Sequence, residues 1–194
     1  MLAGYSKFKE KYAAGFNNDM RRLAIEGQMP ETMVIACADS RVDPAVILQC
    51  DPGDIFVVRN VANIVPPYQK DDGMHGVSAA LEFGVCYLNV KNIIILGHTQ
   101  CGGINAMLNA DSLKQNDFIT DWMSAINMDI GSMSDVDDCA KQALTYSEKN
   151  CMSYPWIKER NDQKELAIHL WFFDIKQGEI LTHSHDSHDF KPLS

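Results

Sequence analysis

With 194 residues, 17 Lys and Arg against 26 Asp and Glu, and a formal charge of −9, the chain is a poor partner for phosphate backbones or anionic membranes. Its 46% hydrophobic and 22% charged residues fit one globular domain with a sizeable core rather than two. No apolar run approaches the ~20 residues of a spanning helix, so neither nucleic acid nor a membrane is expected as a partner, whereas a small neutral substrate is indifferent to the charge.

The first element is helical. Tyr5, Phe8, Tyr12 and Phe16 recur three and four residues apart, a single aromatic stripe that must dock on the body of the protein or on a second subunit. The residues before it show no basic patch followed by an apolar stretch, so no secretory signal is expected. Gly27 and Pro30 end the arm. Met33 to Cys37 is a short apolar run, the mark of a strand buried on both faces. Ile55 to Val58 is a second such run, Ile93 to Leu96 a third and Leu166 to Phe173 a fourth. Between the second and third, Val77, Ala80, Leu81, Gly84, Val85 and Leu88 have helical spacing. The region 109–164 reads as helices and connectors, broken at Pro155. Apolar strands alternating with helices predict an α/β domain with a mainly parallel sheet. Four segments follow: an arm (1–26), a core (27–108), a helical region (109–164) and a closing strand with a polar tail (165–194).

Function in such sheets collects at the carboxyl ends of the strands. Cys37, Asp39, Ser40 and Arg41 follow the first strand; Gly97, His98, Cys101, Gly102 and Gly103 follow the third. Cys37, His98 and Cys101 together offer two thiols and one imidazole, a zinc donor set that leaves the fourth position to water or substrate. The glycines would let the backbone turn tightly around the ion. Asp39 and Arg41, two apart, can lean into the same pocket, the arginine favouring the ionised carboxylate. The other cysteines (Cys50, Cys86, Cys139 and Cys151) are spread through apparent core elements. They read as small buried hydrophobes in a reducing, cytoplasmic setting. His169, within the fourth strand, reads as a satisfied core histidine, and His75 precedes a helix. His183, His185 and His188 read as a polar tail able to take a metal only adventitiously.

Three stretches in this order resemble the beta class of carbonic anhydrases: Cys37 with Asp39, Ser40 and Arg41; Val58 to Asn63; and His98 with Cys101, Gly102 and Gly103. The likeness runs from about Gly27 to about Leu108 and resumes from Leu166 to Glu179. It implies one zinc on Cys37, His98 and Cys101 and reversible hydration of carbon dioxide to bicarbonate and a proton. The nucleophile would be zinc-bound hydroxide, oriented by Asp39 under the hold of Arg41. It further implies a substrate pocket of Gln28, Phe56, Val61, Phe83 and Gly102, formed between two subunits, and so a dimer or a multiple of dimers. The family often carries tyrosine where Phe83 stands, so an altered pocket is expected. One branch has tryptophan at the position of Val34 and glycine at that of Ala36, as part of a secondary bicarbonate site. Their absence, together with Val65 to Tyr68, points to the plant-like branch, with an open metal site and a structural role for Arg59. The alternatives are hydrolysis of carbon disulfide or carbonyl sulfide on the same scaffold, and a non-catalytic zinc protein in which Asp39 closes the site.

Overall fold

A computed structural model of the chain describes residues 1–15, 18–71, 73–109, 118–126, 128 and 134–193. Its strands are β1 (Thr32–Cys37), β2 (Ile55–Asn60), β3 (Asn92–His98), β4 (Ala167–Asp174), β5 (Glu179–His183) and β6 (Phe190–Pro192). They form one sheet in the order β2-β1-β3-β4-β5-β6. The first four strands run parallel; β5 and β6 add antiparallel. The mainly parallel sheet expected from the apolar runs is present, flanked by helices.

Alternation explains why β1 and β3 are apolar throughout. Met33, Ile35, Ile93 and Ile95 enter the larger core cluster, while Val34, Ala36, Ile94 and Leu96 form a second, smaller one. Both faces of these central strands are therefore buried. β2 departs from the expected double burial: it pairs only with β1, is half-buried and leaves Val57 exposed. It is an edge strand, with one side free of strand pairing among the described residues.

The helices are α1 (Leu2–Phe8), α2 (Asp19–Glu26), α3 (Pro44–Ile47), α4 (Gly76–Glu82), α5 (Gly102–Leu108), α6 (Ile119–Ser124), α7 (Val136–Cys151) and α8 (Pro155–Asp162). α1 continues as a π-helical turn over Lys9–Ala13, so the aromatic stripe rides on a helical arm, with Tyr5 and Phe8 exposed. The arm is pinned to its own chain where the Tyr12 hydroxyl and Lys11 ammonium meet the Asp51 carboxylate. Phe16 lies outside the described residues.

α7 is the long helix behind the site. Asp135 caps it, accepting from the amides of Asp137 and Asp138, and it buries Cys139, Ala143, Leu144, Ser147 and Cys151. From it, Ser147 Oγ accepts the Val65 amide at 3.2 Å and Asn150 Nδ2 donates to the Val65 carbonyl at 2.8 Å, anchoring the segment after β2. The expected polar tail is instead the β5–β6 hairpin, because Leu181 and Phe190 pack against the main core. His169 is hydrogen-bonded as expected, its Nε2 meeting Asn92 Oδ1 at 3.0 Å, though it is half-buried rather than in the core. Of the four cysteines expected to be buried, Cys139 and Cys151 are, whereas Cys50 is half-buried and Cys86 is exposed on the helical turn after α4.

Candidate metal centre

The strand order reverses direction between β1 and β3, since β2 lies to one side of β1 and β4 to the other side of β3. Such a switch point opens a crevice at the carboxyl ends of the two strands. Cys37 ends β1 and His98 ends β3. Cys101, three residues on, caps the amino end of α5. Their donor atoms lie within 4.8 Å of one another, the only such grouping of three or more metal-ligating side chains among the described residues.

The geometry and chemistry suit a tetrahedral thiophilic cation. Cys37 Sγ and Cys101 Sγ are 3.9 Å apart; two thiolates on one zinc, at about 2.3 Å each, would lie about 3.8 Å apart. His98 Nδ1 faces the Thr99 carbonyl at 2.9 Å, which makes it the protonated nitrogen and leaves the Nε2 lone pair free. Nε2 is fully buried with no hydrogen-bond partner, a state that costs free energy unless a ligand takes the lone pair.

The thiols are electrostatically unbalanced by themselves. The hydrogen bond from Cys101 drives Cys37 toward the thiolate, helped by His98 and by the amides of Asp39 and Ala62. The same contact with Cys37, together with burial, pushes Cys101 strongly up despite the amides of Ile104 and Gly103. Burial pulls His98 down, but its contact with Cys37 more than offsets this, and the net direction is upward. A dication removes the conflict, because it stabilises both sulfurs as thiolates.

Asp39 stands at the rim of this set. Its Oδ2 is 4.0 Å from His98 Nε2. Arg41 holds it in a fork, Nε to Oδ1 at 2.9 Å and an η-nitrogen to Oδ2 at 2.7 Å, and the Arg41 amide adds a third bond at 2.9 Å. Those hydrogen bonds keep the Asp39 carboxyl well below the usual carboxylate range, burial opposing them only in part. Arg41 also reaches the Gln100 carbonyl at 3.2 Å, which ties the two ligand loops together.

The turn to Cys101 differs from expectation. Gly97, Gly102 and Gly103 do not supply its left-handed backbone; Gln100 does, at φ 53°. Asp137 holds that residue, accepting its amide at 2.6 Å. The glycines serve close approach instead. A Cβ on Gly103 would sit 2.7 Å from Val61 Cγ1, and one on Gly97 3.2 Å from Leu144 Cδ1. At Gly102 a Cβ would meet open space.

In the second motif, Arg59 takes the structural role expected of it, and Asn60 takes one that the sequence left unassigned. Arg59 donates to the carbonyls of Cys37 and Asp39 at 3.0 and 2.7 Å and to Asp43 Oδ2 at 2.8 Å, so it splints the loop that carries the first ligand. Asn60 bridges to Ile64 in both directions, holding Ala62 and Asn63 at φ 62° and 47°. The sequence signal was the run of Arg and Asn at the end of an apolar strand.

The substrate residues expected from the resemblance divide in two. Val61 and Gly102 lie at the metal end. Phe56 is level with Met33 at the start of β1, four residues from Cys37 or about 13 Å along the strand. The Phe56 and Phe83 rings are 5.9 Å apart, so Phe83 belongs to that remote end, and Gln28 precedes β1 there, exposed. Within one chain these three do not meet the metal ligands. His75, at the amino end of α4, pairs with Asp71 at 2.6 Å.

Comparison with known proteins follows the same lines. The sequence model of the family described as "Carbonic anhydrase" matches residues 32–180. A carbonic anhydrase of Synechocystis is 33% identical over 98% of this chain and 72% of its own length. Beta carbonic anhydrase 5, chloroplastic, of Arabidopsis thaliana is 38% identical over 86% of this chain, which spans only 58% of that relative. Among solved structures, the beta-carbonic anhydrase CcaA superposes with a TM-score of 0.87 at 31% identity, covering all of this chain and 90% of that one. A structure from a study of two tetrameric beta-carbonic anhydrases of Sordaria macrospora gives 0.72 at 30% identity, covering 93% and 90%. With its switch-point Cys37, His98 and Cys101 set, and with similarity running through nearly its whole length, the chain belongs to the beta-class carbonic anhydrase family, whose members use zinc.

Proposed function

We propose that the chain catalyses the reversible hydration of carbon dioxide to bicarbonate and a proton, with zinc held by Cys37, His98 and Cys101. The observation that carries this reading is the pairing of a three-donor set with an Asp39 kept out of it by the Arg41 fork. Zinc in that position supplies Lewis acidity, bringing a water's pKa to about 7 so that hydroxide is available near neutrality.

The chain's own residues supply the remainder. Asp39 is ionised and can only accept hydrogen bonds. Fixed by Arg41, it accepts from the attacking water or hydroxide and aims the oxygen lone pair at the substrate carbon. Arg41 also restrains Asp39 from joining the donor set, because that move would break two charge-assisted bonds. Val61 gives an apolar wall suited to a linear, non-polar substrate, and Gly102 leaves room for it beside Cys101. Gln28, Phe56 and Phe83 reach a metal centre only as contributions of a second copy, so the working unit is a dimer or a multiple of dimers. The half-open edge of β2 and the exposed Phe83 and Tyr87 rings, stacked with centres 5.6 Å apart, support such a contact.

Stopped-flow hydration of carbon dioxide by the zinc-loaded protein, from about pH 6.5 to about pH 9, tests this around the expected water pKa. Activity already present near neutrality is expected. Activity confined to alkaline pH would place Asp39 in the donor set at neutral pH, and no activity across the range would overturn the enzymatic reading.

A further inference from the structure

Among the described residues, two buried side-chain nitrogens lack a hydrogen-bond partner: His98 Nε2 and His183 Nδ1. The first belongs to the metal centre. The second lies elsewhere, at the end of β5, two strands from β3 in the sheet. Register makes His98 level with Phe173 and Phe173 level with Ile180, three residues from His183. Strand spacing and rise then separate the two histidines by roughly 14 Å.

His183 has two imidazole neighbours. The His185 ring centre is 5.1 Å from its own and that of His188 is 6.2 Å away. Imidazoles bound to one tetrahedral ion at about 2.0–2.1 Å place their ring centres about 5.3 Å apart. The His183–His185 pair thus stands near the spacing that a shared ion imposes and the His183–His188 pair somewhat beyond it, so side-chain rotation must bring the nitrogens inward for one ion to be shared. The turn that carries them is tied at its base, where the Ser184 amide donates to the Asp189 carbonyl at 2.9 Å. His188 adopts a left-handed backbone at φ 54°. From α7, a Glu148 oxygen lies 3.5 Å from His185 Nε2. A carboxylate on the far nitrogen of a ligating histidine fixes its ring and raises its basicity. His183 and His188 also line a hollow of about 760 Å³ whose charged residues are Asp138 and Asp189 against Lys141 and Lys191, a balance that does not oppose a cation.

We propose that His183, His185 and His188 form a second metal site, for a divalent transition ion of the kind imidazole favours, with Glu148 orienting His185. His183 binds through Nδ1, and His185 through the nitrogen that Glu148 does not face. The site is separate from the hydration centre and stands whether or not that activity is found.

The test is calorimetric titration of Ni2+ into the protein with zinc already in the Cys37 centre, zinc retention being checked afterwards. One further Ni2+ per chain is expected. The double variant His185→Ala/His188→Ala, altered in an exposed turn, should lose that equivalent while keeping its zinc and its thermal midpoint. Glu148→Gln should weaken Ni2+ binding by roughly tenfold or more. Absence of Ni2+ binding in the parent, or undiminished binding in the double variant, would overturn the site. Unchanged affinity in Glu148→Gln would overturn the role of the carboxylate.

Discussion

Asp39 takes three hydrogen bonds from Arg41 alone, and its position and charge both depend on that partner. Replacing Arg41 by Ala should lower kcat/KM for hydration by roughly 10–100-fold through lost alignment, with zinc content unchanged; loss of zinc would mean that Arg41 builds the donor set itself. The pH dependence has a definite sign. The carboxyl is depressed in the folded protein, so its stabilisation is present above the unfolded value of about 4 and is lost as pH falls through the folded one. Urea midpoints should therefore drop more steeply on acidification below about pH 4 in the parent than in Asp39→Asn. Parallel curves would show that the fork contributes nothing to stability. Substituting a ligand acts differently: Cys101→Ser should bring zinc, measured by elemental analysis, to well below one per chain with the fold retained.

At the scale of elements, the centre depends on β1 and β3 ending side by side and on loops that hold their shape without the ion. Arg59 joins the carbonyls of Cys37 and Asp39 to the Asp43 carboxylate. Arg59→Met should cost roughly 1.5–3 kcal/mol of folding stability, read by urea denaturation, and should weaken zinc retention against a chelator. A stability loss with zinc retention intact would confine Arg59 to the fold. The contact between α5 and the turn after β2 leaves no room at Gly103. Gly103→Ala must displace Val61 or Ala62, and overpacking of this kind costs roughly 1–3 kcal/mol; an unchanged melting temperature would show that the turn yields freely.

At the scale of the whole molecule, the residues expected to line a substrate pocket fall at opposite ends of the parallel strands. Gln28, Phe56 and Phe83 stand at the amino end of β1 and β2, and the metal ligands at the carboxyl end. A shared pocket predicts complementation. Gln28→Ala and Cys101→Ser proteins, each weakened alone, should regain part of the parent activity when unfolded and refolded together. In a mixed dimer, the Gln28→Ala chain keeps its zinc and borrows Gln28 from its partner. No regain, with mixed dimers demonstrated by mass spectrometry, would place Gln28 in its own chain's site or outside any site. No helix among the described residues is long and apolar enough to cross a membrane.

The metal donors and the sheet core were legible in the sequence because both are local signals. A strand buried on two faces must be apolar throughout, so Met33 to Cys37 and Ile93 to Leu96 declared themselves, and the residues just beyond them had to lie at one sheet edge. Burial of β2 was overestimated, since an apolar run reports its composition and not whether a neighbouring strand covers its edge. The polar stretch from His183 to His188 gave no strand signal, as its hairpin is held by Leu181 and Phe190 meeting a distant core. The left-handed turn at Gln100 was hidden for a similar reason: Asp137, which holds it, lies 37 residues away. The sequence by itself determined the donor set, the parallel core and the family, because each is written in neighbouring residues. Only the tertiary structure decided which side chains splint the ligand loops, which of the expected pocket residues lie apart within one chain, and that the His183 ring neighbours those of His185 and His188, with Glu148 beside His185. Those depend on long-range contacts, which burial and packing select and which no local spacing encodes.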